Sequence, residues 1–198
     1  MPKQTASQSI GPFFHHILIP SGKGRPGFTG SSLIRAGTKG ERIRIVGCIR
    51  DGNGDPVSPA MVEIWQADAD GHYRHQSDAR DNDDHDQDFA GFGRAHTDLN
   101  GRFSFETVKP GPVQGRNNAP QAPHINVTIF IQGLDTHLFT RLYFADEPEA
   151  NALDPVLSSV EESRRFTLVA TRRETKSGVV YEFEIRMRGD GETVFFDA

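Results

Sequence analysis

Apolar and polar positions alternate with a period of two over Arg42–Arg50, where Ile43, Ile45, Gly47 and Ile49 share one face and the arginines lie on the other. That period is the mark of a β-strand with one buried face, and the Asp51-Gly52-Asn53-Gly54 run that follows supplies turn chemistry. Met61–Gln66 alternates again before the turn Asp68-Ala69-Asp70-Gly71, and Arg102–Thr107 does so after Asn100-Gly101. Further strand-like runs are Ile125–Ile131, Leu138–Phe144, Phe166–Thr171, Val179–Met187 and Thr193–Phe196. One short helix is predicted near Val156–Arg165, where Val156, Leu157 and Val160 fall on one face. No helical crossover joins successive strands, so the predicted fold class is all-β, an antiparallel β-sandwich with long loops. Residues 1–40 carry Gly22, Gly24, Gly27, Gly30, Gly37 and Gly40 among polar neighbours and read as an extended N-terminal arm, which leaves residues 41–198 as the sandwich. Such an arm lies either on its own domain or on a neighbouring subunit.

A chain of 198 residues with 35% hydrophobic content suffices for one substantial core. Its formal net charge of -5 gives no general attraction to nucleic acid or anionic lipid, so partners must be recognised by specific surfaces. The single cysteine, Cys48, rules out an internal disulfide and suits a reducing compartment. Met1–Gln8 is polar, and Ile10–Pro20 is broken by Gly11, Pro12, His15 and His16, which is not the pattern of a secretory leader. No run of about 18 apolar residues is present, and a cytoplasmic location is expected.

The Asp-rich run Asp78–Asp88 lacks the central glycine of a calcium loop and reads as a solvated acidic loop. Eight histidines, His15, His16, His72, His75, His85, His96, His124 and His137, show neither a His-Glu-x-x-His nor a paired Cys/His spacing. His124 differs because it opens a strand, and its same-face neighbour is Asn126. Two histidines at that spacing grip one metal together, whereas an asparagine offers a transition metal only a weak neutral oxygen. Read by itself, His124 is an ordinary histidine at a strand start. Phosphate-loop, dinucleotide and Ser/His/Asp signatures are absent.

Val62–Tyr73, Thr97-Asp98, Gly101–Phe105, Val108–Gly111, Ala122–Asn126, Thr140–Phe144 and Gly189–Asp197 together resemble the intradiol ring-cleavage dioxygenases, and among them the α chains of the two-chain members. The resemblance runs nearly end to end. It implies an αβ hetero-oligomer in aromatic catabolism that opens protocatechuate with O2 between its two hydroxyl carbons, giving 3-carboxy-cis,cis-muconate. In that family a catalytic chain holds iron(III) with two tyrosines and two histidines. The corresponding positions here are Tyr73, Val113, His124 and Asn126. Half the set is missing, so the resemblance implies a vestigial metal site, no catalytic residue in this chain, and an iron held by the homologous β subunit. It further implies that Ser9, Gly11 and Pro12 of the arm, with Gln132, line the substrate pocket shared with the β chain; a simple turn anchoring the arm is the alternative for Ser9–Pro12. Gln132 stands where the resembled chains carry an arginine suited to a carboxylate. Two rival readings remain open at this point. One is a non-enzymatic β-sandwich binding or scaffold module, and the other is a self-sufficient dioxygenase in which a carboxylate near Asp81–Asp88 replaces a tyrosine.

Overall fold

The computed structural model describes residues 29–75, 85–115 and 119–197, and most of its strands begin where the alternation does. The strands are β1 (Arg42–Arg50), β2 (Ala60–Trp65), β3 (Phe92–His96), β4 (Arg102–Val108), β5 (Val113–Gln114), β6 (Pro120–Gln121), β7 (His124–Ile131), β8 (Leu138–Phe144), β9 (Val169–Thr175) and β10 (Gly178–Arg186). Between β8 and β9 lie two short helices, α1 (Pro148–Leu153) and α2 (Pro155–Ser159), and a 3-10 segment (Glu162–Leu168).

Eight strands form one sheet in the order β3-β2-β7-β8-β9-β10-β1-β4, while β5 and β6 pair separately. The large sheet folds over on itself at β8 and β9, which share only the pairs Tyr143–Val169 and Phe144–Ala170. The halves β3-β2-β7-β8 and β9-β10-β1-β4 thereby face each other as a sandwich. Their inner faces supply the core: Ile43, Ile45 and Ile49 from β1, Val62 and Ile64 from β2, Phe103 and Phe105 from β4, and Ile125, Val127 and Ile129 from β7. A smaller cluster of Ala122, Tyr143, Leu157, Val160 and Leu168 fixes the helical segment to the outer side of β8.

The pairings are antiparallel except for β8 with β9 and β1 with β10. The expectation of an antiparallel sandwich rested on the lack of crossover helices. That premise is corrected at β8 and β9, successive strands paired in parallel and joined by the helical segment. The β1·β10 pair is parallel because the two strands lie far apart in the chain and the other half of the sandwich makes the connection.

Three local expectations are corrected. The helix expected over Val156–Arg165 is α2 followed by the 3-10 segment, because Val160 turns extended (φ -83, ψ 139) to bury its side chain. The strand expected from Phe166 begins at Val169: adjacent Thr167 and Leu168 are both buried, which a strand with one buried face does not allow. Thr193–Phe196 makes only the bridge Phe139–Phe196, since Thr193 is drawn back to bond Arg186. β3 went unread because its run Phe89-Ala90-Gly91-Phe92-Gly93 is broken by glycines. A Cβ on Gly93 would overlap Leu33, so the glycine makes room for the segment before β1. That segment bonds both sheet edges, with Arg94 N–H donating to Gly30 O at 3.0 Å and Leu33 N–H to Glu106 O at 2.8 Å. Residues 29–40 of the expected arm therefore lie against the chain's own sheets, and residues 1–28 fall outside the described residues.

Gly47 shows how tightly neighbouring strands pack within one half, for the tip of the Phe103 ring, its cross-strand partner on β4, stands where a Cβ would. Gly47→Ala is expected to lower stability by about 1–3 kcal/mol through overpacking, read as a lower midpoint in urea unfolding with an unchanged slope.

Candidate functional site

The outer face of β7 begins with His124 and Asn126, since the intervening Ile125 and the following Val127 point into the core. Cross-strand register extends this face on both sides. Tyr143 stands opposite His124 and Arg141 opposite Asn126 on β8, while Trp65 faces Asn126 from β2.

Tyr73 reaches the same place from the loop after β2. The buried Asp68 carboxylate builds that loop by accepting from the backbone N–H of Asp70 at 3.0 Å and of His72 at 2.9 Å, and the Asp68 carbonyl accepts from Gly71 and Gly111. Gly71 is left-handed (φ 83), and a Cβ there would strike the Pro112 carbonyl, so only glycine lets this loop lie on the strand that carries Val113. Trp65 then stacks on Tyr73, with centroids 5.8 Å apart and planes at 14°.

The Tyr73 hydroxyl lies 3.4 Å from His124 Nε2 and 3.4 Å from Asn126 Nδ2. His124 is buried, and its Nδ1 lies 2.8 Å from the Ala122 carbonyl. A carbonyl only accepts, so Nδ1 carries the proton and the Nε2 lone pair faces Tyr73. Burial, helped by the nearby Arg141 guanidinium, pushes the His124 pKa down to about 4, against the opposing pull of the Ala122 carbonyl and Asp154. Asn126 Oδ1 is buried with no hydrogen-bond partner. Val113 is buried on β5 opposite Gln121.

A second layer holds this face in place. Asp154, fully buried, caps α2 by accepting at Oδ1 from Val156 N–H (2.9 Å) and Leu157 N–H (2.7 Å). The same oxygen accepts from the Tyr143 hydroxyl at 3.0 Å, and Oδ2 accepts from Ala122 N–H at 2.8 Å. Arg141 Nη1 donates to Gln121 Oε1 at 2.9 Å and to the Tyr143 hydroxyl at 3.4 Å.

Three of the four expected metal-site positions thus meet directly. Ferric iron does not fit what they offer. Val113 has no donor atom, and Asn126 supplies an amide oxygen where a second imidazole is needed, leaving one phenol and one imidazole. Gln132 does not join them: it is exposed in the turn after β7, a strand of eight residues that spans on the order of 25 Å from His124. Ser9, Gly11 and Pro12 lie outside the described residues. In the described part of the acidic loop, Asp86 and Asp88 serve turns, with Asp86 accepting from Lys39 N–H and Asp88 N–H. Trp65, Gln121, Arg141, Tyr143 and Asp154 were not singled out from sequence. The Asp154-Pro155 pair is a legible helix start, but nothing in it shows that the cap also reaches Ala122, between β6 and β7, and Tyr143 of β8.

A family model described as Dioxygenase matches residues 29–189. The protocatechuate 3,4-dioxygenase alpha chain of Pseudomonas putida is 42% identical over 199 residues, covering 98% of this chain and 96% of that one. The alpha chain of the same name from Burkholderia cepacia is 45% identical over 202 residues, with 98% of each chain covered. The Burkholderia cepacia beta chain is 37% identical over 160 residues, covering 78% of this chain and 67% of that one. Among solved structures, 3-chlorocatechol 1,2-dioxygenase from Rhodococcus opacus 1CP superposes with a TM-score of 0.60 at 21% identity, covering 91% of this chain and 71% of that one. An intradiol ring-cleavage dioxygenase from Tetranychus urticae also gives 0.60, at 18% identity and coverages of 80% and 85%. These two share the fold.

Two outcomes follow from the geometry. His124 binds its proton more weakly folded than unfolded, so its contribution is intact above its unfolded pKa of 6.5 and is lost as pH falls toward 4. Between pH 7.5 and pH 5 the wild type should lose roughly 2 kcal/mol more than His124→Gln, measured by urea unfolding at each pH. Asp154→Ala should cost about 3–5 kcal/mol, because it strands several buried donors together. A thermal melt within a degree of wild type would contradict that.

Proposed function

The chain belongs to the intradiol ring-cleavage dioxygenase family, and from that we propose that it is the non-catalytic alpha chain of a protocatechuate 3,4-dioxygenase, assembled with a homologous beta chain. The observation that carries this reading is the pairing of near full-length identity of 42–45% to alpha chains with a ligand set reduced to Tyr73 and His124. A site with valine and asparagine at two of its four positions has no chemistry for holding ferric iron on a catecholate. The iron therefore belongs to the beta chain, which opens the ring with O2.

In this reading the alpha chain contributes wall rather than metal. Gln132, at the opposite end of β7 from the degenerate site, and Ser9, Gly11 and Pro12 of the arm face the beta chain's substrate pocket. Gly11 permits close approach, Pro12 stiffens the wall, and Ser9 donates a hydrogen bond. The assembly works in the cytoplasm; no helix among the described residues is long and apolar enough to cross a membrane.

Co-expression with the beta chain tests the assembly. The isolated chain should carry less than about one-tenth of an equivalent of iron and no tyrosinate-to-iron absorption, while the co-purified complex should hold roughly one iron per αβ pair and open protocatechuate. Stoichiometric iron in the isolated chain would overturn the reading, and failure to co-purify would favour a stand-alone binding module. For the wall, Gln132→Arg in the complex should lower KM for protocatechuate by about tenfold, the worth of one charge-assisted hydrogen bond, and leave catechol unchanged.

A further inference from the structure

The row of side chains that carries Asn126 continues into a fixed cation. Arg141 stands directly opposite Asn126 on β8, on the face shared with His124 and Tyr143. Directly opposed side chains in such a pair have Cβ atoms roughly 5 Å apart. Nη1 of Arg141 is held from two sides, by Gln121 Oε1 at 2.9 Å and by the Tyr143 hydroxyl at 3.4 Å. Both anchors belong to the frame of the site, since Gln121 pairs with Val113 and Tyr143 pairs with His124. No carboxylate among the described residues ion-pairs with Arg141. Asp154 is reached only through Tyr143, and its oxygens already accept four hydrogen bonds. Arg141 is itself half-buried, so water screens it only in part. A guanidinium neither loses its proton nor offers a lone pair, so it becomes neither a neutral neighbour nor a ligand.

We propose that Arg141 is a specificity-determining residue that excludes metal cations from the Tyr73–His124–Asn126 site, independently of the two missing donors. An ion seated between the Tyr73 hydroxyl and His124 Nε2 would stand one cross-strand neighbour from a positive charge with no ion-pair partner among the described residues, where like charges repel far more than in water. Lost donors make the site weak; the guanidinium makes it repulsive. The inference rests on reading Tyr73, Val113, His124 and Asn126 as a degenerate ligand set.

The test rebuilds one ligand and then varies the charge, using the full chain. Asn126→His gives two imidazoles on one strand face beside Tyr73, without overfilling the buried Val113 position. Binding of Co(II), and separately of Zn(II), is measured by calorimetry and by the visible absorption of Co(II) in Asn126→His alone and combined with Arg141→Gln, Arg141→Met or Arg141→Lys. Circular dichroism melts without metal identify folded variants, and the methionine variant keeps the stem's packing where glutamine does not. Removing the charge should tighten Co(II) binding at least about tenfold relative to Asn126→His, whereas Arg141→Lys, which keeps it, should stay within about threefold. Equal affinity with and without the charge would overturn the exclusion and leave the ligand reading standing, as would a lysine variant that binds as tightly as the glutamine one. If no variant binds either metal, the four positions are not a ligand set, and both inferences fall.

Discussion

A carboxylate with no cationic partner among the described residues sits where the helical segment meets the sheet, and the site takes its shape from how that carboxylate is satisfied. Asp154 is fully buried, and its two oxygens accept from two amides of α2, from the backbone of Ala122 and from the Tyr143 hydroxyl. Removing a carboxylate from water is costly unless nearly all its lone pairs are met, so these donors have little freedom in their positions. Ala122 placed this way presents its carbonyl to His124 Nδ1, which sets the tautomer and aims Nε2 at Tyr73. Tyr143 placed this way becomes an anchor for Arg141. One capping residue thereby fixes the orientation of a histidine, a tyrosine and an arginine on two different strands.

The site is well ordered for one whose donors do not fit ferric iron. Two of the four expected ligand types survive and touch, one is replaced by an apolar side chain, and one by an amide whose oxygen has no partner. Order has been kept where it supports packing, and donor chemistry has been lost where only a metal would need it. On the proposed reading, in which the chain builds a wall for its partner's site, rigid strands and a dependable surface are what that role asks for.

Much of this was legible from residue patterns, and the losses have physical causes. Alternation located β1, β4, β7 and β10, where burial alternates along most of the strand, and it located β2 and β8 although these bury side chains on both faces. β3 was missed because its glycines serve the close approach of Leu33 and carry no hydrophobic period. The helix near Val156 was seen, but its break at Val160 was not, since the break is set by a tertiary pocket shared with Tyr143 and Leu168. Within the site, His124 and Asn126 stood out through their spacing, and Tyr73 and Val113 through family resemblance. Arg141 and Asp154 gave no such signal: an arginine on a strand's outer face and an aspartate before a proline look ordinary until register and burial show what they meet.

The pairing of β1 with β10 also bears on how the chain is made. β1 leaves the ribosome early and acquires β4 as one neighbour soon afterwards, but its other edge waits for a strand encoded after most of the sheet. During synthesis that edge, lined inward by Ile43, Ile45 and Ile49, is an open template for foreign strands. The half of the sheet that holds β1 is therefore completed only once β10 is made. Until then, β1 has a paired edge on β4 and an open one that only the end of the chain can cover.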